Sequence, residues 1–152
     1  MVEKGILGTQ VVTQIGILVN DIEKASQSYA DFLGVENPGV VVTNVYDKAR
    51  TEFKGKPTKA RSKLAFFKVG ANLSIELIEP DNEPSTWRES LDKNGEGVHH
   101  IAFAINGMKD KILNLEKNNM PLLQTGEYKG GRYAYMDCMK DLKVIVELLE
   151  ND

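Results

Sequence analysis

Gln14-Ile15-Gly16-Ile17-Leu18-Val19-Asn20 is answered, 86 positions later, by His100-Ile101-Ala102-Phe103-Ala104-Ile105-Asn106. In both, a polar side chain opens an apolar run, a small residue follows two places on, and an asparagine ends it. Such runs, bounded by turn formers, read as strands. Glu76-Leu77-Ile78-Glu79 has a similar partner in Glu147-Leu148-Leu149-Glu150, at a spacing of 71. Two matched pairs in the same order make an internal duplication. The second copy is shorter by 15 residues, a difference that connections absorb more readily than strands.

Working outward, the first strand is followed by a helix signal. Asn20 and Glu23 form a capping box, Ile22, Ala25, Tyr29, Phe32 and Leu33 recur at helical spacing, and Gly34 supplies the stop. Val40 to Tyr46 predicts a second strand. Leu64 to Val69 and Leu73 to Glu79 predict a hairpin across Gly70-Ala71-Asn72, with Pro80 as terminator. Ser85 to Asn94 predicts a short helix capped by Ser85, and Gly95-Glu96-Gly97 a hinge between halves. In the second half, Val98 to Ile105 predicts a strand, Met108 to Lys117 a helix, and Arg132 to Asp137 and Lys143 to Leu149 two more strands. The fold class expected is α+β: one domain over 1–152, built of tandem βαβββ repeats at 11–80 and 98–150 that form a cupped mixed sheet. Function belongs in the cup.

Composition narrows the classes. At 152 residues, with 41% hydrophobic and 27% charged, the chain is of ordinary globular make-up, and no apolar run reaches membrane-spanning length. A net charge of -3 spread over both signs gives no nucleic-acid face; only Lys54 to Lys63 is locally basic. Met1 to Gly8 lacks the pattern of a secretory signal, so a cytoplasmic location is expected. Cys138 is the only cysteine, which excludes an intrachain disulfide and cysteine-built zinc sites.

Strand alternation then selects the chemistry. Gln14, Gly16 and Leu18 share a face, as do Ser74, Glu76 and Ile78; His100, Ala102 and Ala104; and Ile145, Glu147 and Leu149. A buried carboxylate needs a partner, and a shared cation supplies one. Gln14, Glu76, His100 and Glu147 are therefore expected to hold one divalent ion, such as zinc, nickel or cobalt, with Gly16 and Ala102 leaving room beside it. The plain alternative has both glutamates facing solvent and His100 as a satisfied core histidine. His99, aimed oppositely in a regular strand, competes with His100, and the repeat alignment selects His100. Glu79 and Glu150 fall on the other face and read as solvated, with a second-choice ligand role.

On Gln14 to Val19, Ile75 to Pro80, Gly95 to Ala102 and Val144 to Leu148, the chain resembles the vicinal oxygen chelate (glyoxalase/bleomycin resistance/dioxygenase) superfamily over Val11 to Glu150. Within it, Gly95-Glu96-Gly97-Val98-His99-His100-Ile101-Ala102 looks most like the methylmalonyl-CoA epimerases. That resemblance implies metal-assisted proton transfer beside the carbonyl of an acyl-CoA thioester, with Glu147 as the catalytic base. Epimerases usually carry His where this chain has Gln14, which instead resembles the Gln, Glu, His, Glu set of glyoxalase I. The alternative implied is a lactoylglutathione lyase-type enzyme acting on a hemithioacetal, a thiol adduct. A third reading is a non-catalytic ligand-binding or resistance protein of the same fold.

In the loop where epimerases carry a second acid/base glutamate, this chain has Lys56-Pro57-Thr58-Lys59-Ala60-Arg61-Ser62-Lys63, with Glu52 the closest carboxylate upstream. Lys59 and Arg61 are read as contacts to coenzyme A phosphates, beside the plain reading of a solvated loop. Arg132 is read as a contact to an anionic substrate group, and Trp87 as helix packing. The resemblance also implies a homodimer, which would cover sheet edges. Whether the cup closes within one chain or across a dimer stays open.

Overall fold

The computed structural model describes residues 5–152, so the expectation drawn from Met1 to Gly8 lies partly outside the described residues. Strand β1 (Val12–Leu18) leads into helix α1 (Ile22–Leu33), then come β2 (Val41–Val42), α2 (Tyr46–Ala49), β3 (Glu52–Phe53), β4 (Lys56–Pro57), β5 (Ser62–Lys68), β6 (Ser74–Pro80) and α3 (Thr86–Asn94). The second half runs β7 (Gly97–Ala104), α4 (Met108–Lys117), β8 (Leu122–Tyr128), β9 (Gly131–Cys138), α5 (Met139–Leu142) and β10 (Val144–Asn151). All strands lie in one sheet, in the order β2-β5-β6-β1-β7-β10-β9-β8-β3-β4. The duplication is visible in that order, since β2-β5-β6-β1 mirrors β8-β9-β10-β7 about the β1–β7 seam.

Matching registers express the matched sequences. Gly16 lies opposite Glu76 across the parallel β1–β6 pair, and Ala102 lies opposite Glu147 across the parallel β7–β10 pair. The two halves join through the antiparallel β1–β7 pair, where Gly16 also faces His100. Helices α1 and α4 cover one side of the sheet, α1 burying Ile22 and Ala30 against Phe67 and Leu77, α4 burying Met108 and Leu115 against Met136 and Leu148. On the other side, Trp87 and Leu91 of α3 pack on Leu18, Ile78, Tyr135 and Ile145 and fill one end of the cup. No helix among the described residues is long and apolar enough to cross a membrane.

Several expectations need correction. Helix α1 is capped by Asp21, whose carboxylate accepts from the Lys24 N–H at 3.2 Å, and Asn20 does not form the capping box. The Asn20 N–H goes to Glu96 Oε1 at 2.8 Å, which draws that residue out of the cap. The strand expected over Val40 to Tyr46 shrinks to two residues, because the chain leaves the sheet edge and turns into α2. The β3–β4 hairpin, turning on Lys54 and Gly55 at positive φ, was invisible to alternation in so short a stretch. It pairs with β8, placing Glu52 opposite Thr125, so an insertion in the first repeat is stitched onto the far edge of the second.

Glu79 and Glu150 are not merely solvated. Glu79 accepts the Ile22 N–H at 3.0 Å and Glu150 the Gly107 N–H at 2.5 Å, so each holds the N-terminus of its own repeat's helix. Carboxylates are stabilised there by unpaired N–H groups and the helix dipole. Urea unfolding checks the cap assignment: Asp21→Ala costs about 1 kcal/mol, whereas Asn20→Ala stays within about 0.5 kcal/mol.

Candidate functional site

The β1–β7 seam sets the centre. His100 is fully buried, and its ring lies flat over Gly16: a Cβ added at position 16 would stand 2.0 Å from His100 Cε1. From this position Nε2 reaches 3.5 Å to Glu76 Oε1 and 3.4 Å to Glu147 Oε1, one carboxylate from each repeat. Gln14 lies two residues before Gly16 on the same strand face, and its side chain lines the same cavity as both glutamates. The cavity measures about 470 Å³. Gln14 Oε1, Glu76 Oε1, His100 Nε2 and Glu147 Oε1 are all buried without a hydrogen-bond partner. One chain supplies all four.

The electrostatics show what this cluster lacks. Burial, together with the neighbouring Glu147 charge, pushes the Glu76 carboxyl up to about 8, with His100 pulling the other way. Burial opposes charge on His100, yet the two carboxylates hold its imidazole above the ordinary value. Two carboxylates sharing one imidazole are short of positive charge, and a divalent cation would supply it. Among the described residues no group of three or more His, Cys, Asp and Glu side chains is arranged to hold a metal ion as it stands. Even so, the separations of 3.4 and 3.5 Å fit donors around a shared ion: with bonds near 2.1 Å, tetrahedral ligands stand about 3.4 Å apart. The donor set of amide oxygen, imidazole and two carboxylates fits a first-row divalent ion.

Sequence alternation placed His99 on the opposite face, and the structure corrects this. The register shifts between Gly16–His100 and Ile17–Val98, leaving His99 as the extra residue of a β-bulge. Its ring therefore turns to the same side as His100, and both abut Tyr135, His99 edge-on and His100 tilted, with centroids 5.1 and 5.0 Å away. Tyr133 and Tyr135, unremarked in the sequence, wall the cavity with Trp87, which is both helix packing and lining. The Tyr135 hydroxyl accepts from Trp87 Nε1 at 3.1 Å, and burial holds its pKa well above the usual phenol value. Both tyrosines share one face of β9, a strand the sequence does predict over Arg132 to Asp137, so alternation along it could have found them.

The cationic residues expected at the substrate lie elsewhere. Arg132 pairs with Glu150 at 2.8 Å and with Asp152, beside a separate open groove. Arg61 spends its Nε on the Thr43 carbonyl at 2.8 Å, tying down the loop after β2. Lys59 is exposed and outside the cavity lining. Glu52 opens onto the separate groove, and Glu127, at the cavity's rim, is the one lining carboxylate besides Glu76 and Glu147 among the described residues.

A duplicated βαβββ sheet curled around a four-donor polar centre defines the architectural class in which vicinal oxygen chelate proteins fall. The chain belongs to the Glyoxalase/Bleomycin resistance protein/Dioxygenase superfamily, whose sequence profile matches residues 13–135. The uncharacterised protein YqjC of Bacillus subtilis (strain 168) is 29% identical over 141 residues, covering 90% of this chain and 89% of its own. A hypothetical protein from Bacillus halodurans C-125 superposes with a TM-score of 0.65 at 21% identity, covering 93% of this chain and 94% of that one. A variant of Streptomyces coelicolor methylmalonyl-CoA epimerase, in complex with 2-nitronate-propionyl-CoA, gives 0.62 at 21% identity over 93% and 94%. These structural likenesses establish the shared fold.

Gly16→Ala tests the seam. The ring of His100 must move to admit the methyl, at a cost of about 1–3 kcal/mol in thermal unfolding, with displaced His100 ring resonances in the NMR spectrum; an unchanged melting point and spectrum would contradict the stacking.

Proposed function

We propose that this protein is a metal-dependent proton-transfer enzyme acting on an acyl-coenzyme A thioester, an epimerase of the methylmalonyl-CoA type. Gln14, Glu76, His100 and Glu147 hold one zinc, nickel or cobalt ion. The observation that carries this reading is the set of four unpartnered polar atoms buried around one cavity. When bound, such an ion polarises a substrate carbonyl oxygen and acidifies the carbon beside it.

The chain's own residues supply the rest. Glu147 is 4% exposed and lines the cavity, which supports its reading as the base that takes a proton from substrate. The C–H bond breaks, its electron pair passes into the carbonyl system, and the proton goes to the Glu147 carboxylate. Returning a proton to the opposite face requires a second acid, and Glu127 at the rim is the remaining carboxylate. Tyr135, kept protonated by burial and with its oxygen already accepting from Trp87, has its hydrogen free for an oxygen of the substrate. Coenzyme A phosphates would lie outside the cavity, where Lys59 is exposed and Arg61 and Arg132 are already engaged.

Gln14 favours a second reading, a glyoxalase I-like lyase on a hemithioacetal, which would use the same base. Product from methylglyoxal with a cellular thiol, in the absence of acyl-CoA exchange, would select it. A homodimer is the proposed assembly, with the exposed Val41 and Val42 on the short β2 edge as the surface to cover.

Elemental analysis after dialysis is expected to find roughly one divalent ion per chain, lost in Glu147→Ala. Metal-loaded protein in D2O is expected to exchange the α-hydrogen of methylmalonyl-CoA, and Glu147→Gln to slow this by about 100-fold or more. Absence of retained or reconstituted metal would leave a non-catalytic binding protein. Light scattering checks the assembly, a dimer giving twice 16.9 kDa.

A further inference from the structure

His99 touches neither the cavity nor the solvent, yet it is a second histidine pressed against the first. It is 3% exposed, its Nδ1 lies 2.9 Å from His100 Nδ1, and its Nε2 lies 3.1 Å from Thr86 Oγ1 at the start of α3. The two imidazoles meet edge to face, with planes 89° apart and centroids 5.1 Å apart. A pair of ring nitrogens at hydrogen-bonding distance admits one hydrogen between them, so one ring donates and the other accepts. Nothing in the proposed proton transfer uses this contact, and a regular strand would not have produced it. The bulge at His99 costs the β1–β7 ladder a paired residue, and its effect is to aim this ring at the back of His100.

We infer that His99 is a positioning residue that fixes which nitrogen of His100 carries hydrogen, and thereby readies His100 Nε2 for a metal ion. The inference rests on the metal reading of the site proposed above. A ligating imidazole must leave its metal-facing nitrogen bare and place its hydrogen on the other. His100 Nε2 faces Glu76 and Glu147. Its hydrogen must then sit on Nδ1 and be donated to His99 Nδ1. That requires His99 to be neutral, with its own hydrogen on Nε2, donated to Thr86. Geometry agrees at the far end: His99 is enclosed, and the Thr86 hydroxyl oxygen, 3.1 Å from His99 Nε2, is within reach to accept that hydrogen.

Thr86 anchors the relay. Its N–H donates to Gln124 Oε1 at 2.9 Å, and Gln124 Nε2 donates to the Tyr133 hydroxyl at 3.1 Å, all in buried or half-buried surroundings. The ring of His99 is thus gripped between a helix start fastened to β8 and the ligand it supports. The opposite polarity, in which the Thr86 hydroxyl donates to His99 and His99 donates to His100, puts hydrogen on His100 Nε2 and blocks ligation.

Two substitutions separate this role from packing. His99→Gln retains a carbonyl oxygen to accept from His100 Nδ1, and His99→Leu retains bulk without an acceptor. Zinc affinity, measured by competition with a chromophoric chelator, is expected to fall about 10- to 100-fold in His99→Leu and to be largely restored in His99→Gln at comparable melting temperature. Nitrogen-15 NMR of the imidazoles in metal-free wild type is expected to show hydrogen bound to His100 Nδ1 and a hydrogen-free His99 Nδ1. Should His99→Leu fail to fold, Thr86→Val breaks the relay from its other end and is expected to weaken zinc in the same direction. Equal affinity losses in the Gln and Leu variants, or a bare His100 Nδ1 in the spectrum, would overturn the inference. If wild type takes no zinc while the spectrum shows the hydrogen on His100 Nδ1, the metal reading fails and the His99 contact stands as a structural one.

Discussion

The antiparallel pairing of β1 with β7 is the constraint on which the rest depends. Gln14 and Gly16 come from one repeat and His100 from the other, and only this seam brings the imidazole down onto the bare Cα of Gly16. The parallel partners β6 and β10 then flank the seam, delivering Glu76 and Glu147 at equivalent heights. A slip of one residue in either pairing would turn a carboxylate to the helix-covered face, where Leu77 and Leu148 are fully buried. Apolar packing on that face therefore holds the register that the polar face requires.

Concentrating two carboxylates and an imidazole in a buried place opposes folding, and the structure offsets it with its surroundings. Glu79 and Glu150, three residues beyond Glu76 and Glu147, spend their charge on helix N-termini instead of adding to the cluster. Trp87 and the tyrosines wall the cup, and their hydrogen bonds pass between buried or half-buried partners. Lys54 pairs with Glu89, Lys63 with Glu79 and Arg132 with Glu150, while Arg61 holds the Thr43 carbonyl, so none of these four meets the charge deficit at the centre. A site left short of positive charge in this way is suited to a cation brought from outside.

Asymmetry between the repeats shapes the cavity. The shorter second copy adds only the short α5 between its third and fourth strands, whereas the first carries α2, β3 and β4 between its second and third strands. That insertion crosses from one edge of the sheet to the other and brings Ala49 and Thr51 to the cavity wall opposite Leu64 and Phe66. This stretch of the cavity wall therefore comes from the same chain as the polar centre.

Much of this was legible in the linear chain. Matched segments around Gln14 and His100, and around Glu76 and Glu147, carry the duplication because apolar runs of fixed period survive in sequence, and strand alternation then puts the four polar residues on one face. Helix α4 and the hairpin of β5 and β6 were readable for the same local reason. What local pattern does not encode is contact between distant segments. The bulge that turns His99 beside His100, the Asp21 cap chosen because Glu96 takes the Asn20 N–H, the strap onto β8, and the engagement of Arg61 and Arg132 away from the cavity all depend on partners tens of residues away. The sequence by itself determined which residues could share a face; tertiary structure alone decided which of them meet, because hydrogen-bond partners and free volume exist only once the sheet has closed.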